Sequence, residues 1–305
     1  NATLTLLVNP HSNLFHELLP TLINIEERFN ARFGYPIQLL TDGQLPGEQI
    51  RKRTSYITRG KAKWALVTEE QGWGPPSWVS QADVDKGQSD IQGFPIGYRN
   101  MCRFFSKFHH QHPSLAGFEW IWRLDEGITF FCELKEDPFM VMIEKQALYG
   151  YTNTDLESLF VVPTLFSQTE DFMNQAKSEH PEWFPPGTDE SFAVETELLT
   201  GRRKWNMRMY YNNFEIVHRS LLESEPYQAY VDYLDHKKGF YVERWGDAPV
   251  RTLALSYLVP ADKIISFSAY TGMQHPHPAF ECPDEPWCYC NPAKSRKNGG
   301  WDDWA

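Results

Sequence analysis

The first half of the chain alternates short apolar runs with stretches of helical period, and this alternation constrains the fold more than any other feature. Residues 4–8 read as a strand. In residues 14–33, Leu14, Leu18, Leu22, Ile25 and Phe29 recur on one side of a predicted helix that Gly34 and Pro36 end. Residues 37–40 form a second predicted strand, 46–57 a helix and 63–67 a third strand. Strand–helix alternation of this kind argues for α/β architecture. With 305 residues, 41% of them hydrophobic, the chain can bury a large core. There is no internal repeat and no clean domain boundary, so one domain over residues 1–305 with a C-terminal elaboration is expected.

Farther along, residues 72–97 make a Gly- and Pro-rich connection with room for a short helix, and residues 97–110 a further helix. Residues 148–151 suit a strand, and 180–187 a surface loop. Ser224 is placed to cap one late helix, and Asp247 another with Pro249 in its first turn.

In the segment FEWIWRLDEGITFFC, a strand-like run meets Asp125, Glu126 and Gly127 and then turns apolar again. Asp and Gly suit an ordinary turn. Paired acids at a strand end also suit a metal or phosphate-sugar site.

Composition narrows the function classes. The formal net charge is −11, and RKR at 51–53 is too short and isolated for a nucleic-acid surface. The 11 Trp, 14 Tyr and 20 Phe suit either a core or the flat faces that bind sugars. No run is long enough to cross a membrane, and no signal peptide is present. The abrupt start at Asn1-Ala2-Thr3 reads as a trimmed catalytic domain. Of the five cysteines, Cys282, Cys288 and Cys290 lie in a Pro-rich acidic tail that disulfides would order, with Cys102 and Cys132 as available partners.

GYRNMCRFFSKFHHQHP, WIWRLDEGI, YYNNFEI, YLDHKKGFYVERWGDAPVRTLAL and GMQHPHPAFECP occur in this order across nearly the whole chain. Together they closely resemble the fungal Golgi α-1,2-mannosyltransferases, glycosyltransferase family 15. The resemblance implies a GT-A fold with a mixed central sheet. It implies GDP-mannose as donor, a mannosylated glycoprotein glycan as acceptor, Mn2+ as cofactor and retention at the anomeric carbon. Such enzymes are Golgi proteins with a single-pass type II anchor. A mannosylphosphate transferase and a non-catalytic carbohydrate-binding homologue remain the alternatives.

The resemblance also assigns roles. Where the family usually has Glu-Pro-Asp, this chain has Asp125-Glu126-Gly127, so the metal-associated acid becomes Asp125, Glu126 replaces the proline, and the last acid is lost. The late Gly-x-x-His pattern makes His275 the second metal ligand, with His277 and Glu126 as alternatives. Tyr98 matches the tyrosine at the donor phosphate. Arg99 and Arg103 are candidate phosphate or fold contacts, and Arg123 has a buried acid as its alternative partner. Glu215 matches the family glutamate at the sugar centre, as nucleophile or electrostatic stabiliser; the plainer reading pairs it with Arg219. Trp245 is a candidate sugar platform, Asp247 a sugar contact or helix cap, and Tyr210, Tyr211 and Asn213 candidate pocket walls.

Overall fold

The computed structural model describes residues 1–92, 94–188, 192–197, 200–275 and 281–294. His277 lies outside the described residues. The strands are β1 Ala2–Leu7, β2 Ile37–Asp42, β3 Ala62–Val67, β4 Trp120–Leu124, β5 Thr129–Phe130, β6 Tyr149–Leu156, β7 Val194–Thr196, β8 Arg203–Trp205, β9 Arg208–His218, β10 Ile264–Ser266 and β11 Met273–Gln274. The principal helices are α1 Leu18–Ile25, α2 Glu48–Ile57, α3 Gln81–Asp90, α4 Ile96–Arg103, α5 Leu165–Glu179, α6 Glu225–His236 and α7 Asp247–Leu258.

Seven strands form one mixed sheet in the order β10-β6-β9-β4-β1-β2-β3. Every strand in it except β9 runs the same way. From β1, the chain moves to β2 and β3 on one side and to β4 on the other, which makes the β1–β4 boundary a topological switch point. Ligands of open α/β sheets bind at the carboxyl ends of strands beside such a point. Asp125 directly follows the carboxyl end of β4, and that of β1 leads to Asn9.

The sheet separates two cores. Trp122, Leu124, Phe214 and Ile216 pack on one face with α1 and Phe139. Ile121, Tyr149 and Val217 pack on the other with α6 and α7. Period two in the strands produces this segregation: neighbours in β4 enter opposite cores. The β6–β9 register shifts between Tyr151 and Asn153. Such an irregularity re-aims the side chains of the longer strand, here around Asn212 and Asn213.

The predicted helix over 14–33 begins only at Leu18, and a π-type turn over Glu26–Asn30 interrupts it before Gly34 ends it at φ 77°. Ser224 caps α6 as expected, accepting from the Tyr227 N–H. Asp247 does not cap α7: Gly246 holds the cap position, and Asp247 is the first helical residue, buried. The tail is clamped by Cys132–Cys288 and Cys282–Cys290, while Cys102 is a buried free thiol.

Candidate active site

At the end of β4 the chain makes a turn through Glu126 and Gly127. Gly127 adopts φ 83°, a backbone conformation that glycine reaches without the steric cost other residues meet. Turn and site therefore coexist. The Gly127 N–H donates to Thr21 Oγ1 at 2.9 Å, which ties the turn to α1.

Asp125 is the accessible acid of the pair, its side chain 29% exposed, with Oδ1 accepting from Arg123 Nε at 3.1 Å. Glu126 turns the other way. Its Oε2 accepts the Asn9 N–H at 2.9 Å, bridging the switch point, and its Oε1 is enclosed without a partner. Burial pushes the Glu126 carboxyl up to about 7, and Glu17 and Asp125 add to the rise against the Asn9 bond.

β11 pairs antiparallel with β5, setting Gln274 opposite Thr129. That register carries His275 back toward the Asp125 turn. Its ring meets Tyr211 edge-on, centroids 6.2 Å apart. The Tyr211 phenol is pushed up to about 12, first by burial and then by Asp125. Asp125, Tyr211 and His275 thus share one locality, drawn from β4, β9 and β11. Among the described residues there is no group of three or more His, Cys, Asp or Glu fit to hold a metal. One carboxylate and one imidazole suit a divalent cation that takes its remaining ligands from substrate phosphates and water.

Beneath this locality lies a quartet of buried charges. Arg123 on β4 stands opposite Glu215 on β9. Each pairs with α7: Arg123 Nη1 with Asp247, and Glu215 Oε1 with Arg251 Nε at 2.9 Å. Asp247 also accepts from Asn212 Nδ2 at 2.8 Å. Asp247 and Arg251 are four residues apart, hence on one face of the helix. Burial alone would lower the Arg251 pKa; the Glu215 carboxylate, with Tyr227 behind it, raises it instead.

Several expected contacts are structural. Arg99 is fully buried, donating to the carbonyls of Gly87 at 2.8 Å and Tyr241 at 2.9 Å, so it is no phosphate ligand. Arg103 forks onto Asp235 at 2.7 and 2.9 Å and donates to the carbonyls of Gly72 and Gly74. Trp245 is not a sugar platform: its indole is buried, donates to Glu243 Oε2 at 2.7 Å, and fills the space that a Cβ on Gly239 would need. Tyr210 is a core residue stacked on Phe192, centroids 4.1 Å apart. Asp247 is consumed by Arg123 and Asn212 rather than left for a sugar hydroxyl. Arg219 pairs with Glu223, not with Glu215. Tyr98 is half-buried and accepts from Arg244 at 3.4 Å, while Arg244 forks onto Glu157 at 2.8 and 3.0 Å. The Asn213 amide is enclosed, with neither its nitrogen nor its oxygen bonded.

Sequence reasoning did not single out Arg251, Asn212 or Asn9. For Arg251 the signal was present: it follows Asp247 by one helical turn.

A mostly parallel sheet with an acid, an imidazole and a phenol gathered at the carboxyl edge of β4 marks a ligand-binding α/β protein as the class. A family model described as glycolipid 2-alpha-mannosyltransferase matches residues 1–304. The chain is 31% identical over 290 residues to Glycolipid 2-alpha-mannosyltransferase 2 of Candida albicans, covering 91% of this chain and 60% of that relative's length. It is 31% identical over 295 residues to O-glycoside alpha-1,2-mannosyltransferase omh1 of Schizosaccharomyces pombe, covering 94% of this chain and 73% of the relative. Core-mannan synthase A from Aspergillus fumigatus, solved in its Mn/GDP form, superposes with a TM-score of 0.86 at 28% identity, covering 98% of this chain and 81% of that one. Ktr4p of Saccharomyces cerevisiae in complex with GDP gives the same score and identity over 99% of this chain and 78% of its own. The protein belongs to this fungal glycosyltransferase family 15 and has its GT-A fold.

Proposed function

We propose that the protein is a retaining α-mannosyltransferase that moves mannose from GDP-mannose to a mannose-containing glycan through an α-1,2 linkage. The observation that carries this reading is the gathering of Asp125, Tyr211 and His275 at the switch point of the sheet. Relatives bearing the names 2-alpha-mannosyltransferase and alpha-1,2-mannosyltransferase support the chemistry, and a homologue solved with Mn and GDP supports the donor class.

Asp125 and His275 would hold Mn2+, which supplies positive charge at the diphosphate as the sugar–phosphate bond breaks. Tyr98 donates its phenolic hydrogen to a phosphate oxygen. Tyr211 lines the sugar's side of the cleft, while the Asn213 amide, 1% exposed, lies inside the fold. Glu215, only 1% exposed and bound to Arg251, acts as a fixed negative charge beneath the anomeric centre rather than as the attacking group. As the bond from anomeric carbon to phosphate oxygen breaks, the acceptor oxygen bonds to that carbon on the same face. Its proton passes to the departing phosphate oxygen. Glu126, already engaged by Asn9, steadies the turn instead of binding the ion.

Residues 1–305 are read as one luminal catalytic domain of a Golgi enzyme, held in the full-length protein by a single-pass type II anchor. The Golgi assignment follows the family. Among the described residues no helix is long and apolar enough to cross a membrane.

The test is incubation with GDP-mannose and α-1,2-mannobiose, with and without Mn2+. A product heavier by one hexose and free of added phosphorus is expected. A phosphorus-bearing product would mean mannosylphosphate transfer instead. Absence of donor consumption at every acceptor tried would leave a carbohydrate-binding homologue.

A further inference from the structure

The chain after β5, the short helix Ser268–Thr271 after β10 and the C-terminal segment line a cavity of about 320 Å3, apart from the Asp125 locality. Its wall brings Trp287 and Tyr270 together with Glu136 and Glu285. Tyr270 is 51% exposed. Lys135 Nζ sits 3.9 Å from the centroid of the Trp287 indole, a cation–π contact. Among the described residues neither Glu136 nor Glu285 forms an ion pair, and the Trp287 indole N–H makes no hydrogen bond.

The wall is stapled rather than loosely draped. Cys132–Cys288 joins the two segments covalently. Glu133 N–H donates to the Trp287 carbonyl at 3.1 Å, Tyr289 N–H to the Phe131 carbonyl at 2.9 Å, and Cys132 N–H to the Thr271 carbonyl at 3.2 Å. Phe267, also in the wall, follows β10 directly, so the cavity opens at the same carboxyl edge of the sheet as the Asp125 turn. β11 leads from the cavity wall at Thr271 to His275.

A flat indole and a phenol offer apolar faces of pyranose size, and free carboxylates accept hydrogen bonds from neighbouring hydroxyls. The volume falls in the range of sites for small organic ligands. We propose that this cavity is a second glycan subsite, which holds a pyranose unit of the acceptor at a distance from the hydroxyl that reacts. The mannose content of that glycan rests on the proposed transfer reaction; the subsite itself rests on the cavity.

The experiment has a binding arm and a turnover arm. Saturation-transfer NMR with α-1,2-mannotetraose, without donor, reads binding directly in wild type, W287A, W287F and the double variant E136Q/E285Q. Wild type and W287F are expected to bind, W287A and the double variant to lose most of the signal. In turnover, W287A should raise KM for mannotetraose about tenfold, with kcat and the KM for α-methyl mannoside unchanged. A thermal transition for each variant equal to wild type, within a few degrees, excludes misfolding as the cause. No tetrasaccharide binding by wild type, or equal binding by wild type and folded W287A, would overturn the subsite. Absence of turnover with retained, Trp287-dependent binding would instead count against the transferase reading and leave the subsite standing.

Discussion

Arg123 and Glu215 face each other across β4 and β9, yet Arg123 pairs with Asp247 and Glu215 with Arg251, both on α7. The two pairs pin one helical face to the sheet directly under the Asp125 turn. Burying four charges is costly, and the attraction of well-placed partners offsets that cost only while every partner is present.

Removing one partner should therefore be severe. R251A leaves Glu215 buried and uncompensated, and should lower unfolding free energy by about 3–5 kcal/mol, read by urea titration. E215Q retains shape and an acceptor oxygen, so its stability loss should be smaller. Its turnover should nevertheless fall about 10²-fold or more, the scale of losing one preorganised electrostatic group. Near-parental transfer by folded E215Q would remove Glu215 from the catalytic account.

The divided roles of Asp125 and Glu126 predict different defects. D125A should abolish the Mn2+ dependence of turnover along with most of the activity. E126A should keep Mn2+ dependence, because its contact is the Asn9 N–H. Metal titration of turnover in both variants checks this, and the reverse pattern would move the primary ligand to Glu126.

His109 and His110 give the fold an acid limit. Burial, then Arg251 and Arg219, pushes His110 down to about 3 from its ordinary 6.5. Burial, then Arg123, holds His109 well below 6.5. Both are neutral when folded, whereas the unfolded chain takes up protons near 6.5. The stabilising contribution of His110 is complete above 6.5 and falls as pH drops toward 3, by about 1.4 kcal/mol per pH unit, and His109 adds a fall of the same sign below 6.5. Urea midpoints from pH 7 to 4 should show this slope, and H110Q should flatten it.

The two disulfides should differ in weight. Cys132–Cys288 spans 156 residues and Cys282–Cys290 spans 8. In the chain-entropy account the longer loop stabilises more, with a typical contribution of about 2–4 kcal/mol. C288S should therefore lower the thermal midpoint more than C282S, by calorimetry.

The strand–helix alternation from β1 to β3 was legible because short apolar runs, buried on both faces in β1 and β2, alternate there with stretches of helical period. β9 was less so: Tyr211, Asn212, Asn213 and Glu215 put polar groups into a strand where a core pattern would be apolar, and its register is irregular. The helix α5 went unanticipated, its apolar residues being widely spaced. Residue type reported chemistry but not depth. Arg99, Arg103 and Trp245 have the groups to bind phosphate or sugar, yet all three are spent inside the fold. The family block GFYVERWGDAP is distinctive in sequence largely for packing reasons: Gly239 makes room for Trp245, Arg244 holds Glu157, and Asp247 holds Arg123.

The central claim is transfer of mannose from GDP-mannose with its α configuration kept. The most direct measurement is NMR of the product made from GDP-mannose and α-1,2-mannobiose, reading the one-bond C1–H1 coupling of the new residue and its correlation across the linkage. The account predicts an α-configured mannose joined to O2 of the terminal acceptor unit. A β-configured residue would contradict retention, and transfer of any sugar other than mannose would contradict the donor assignment.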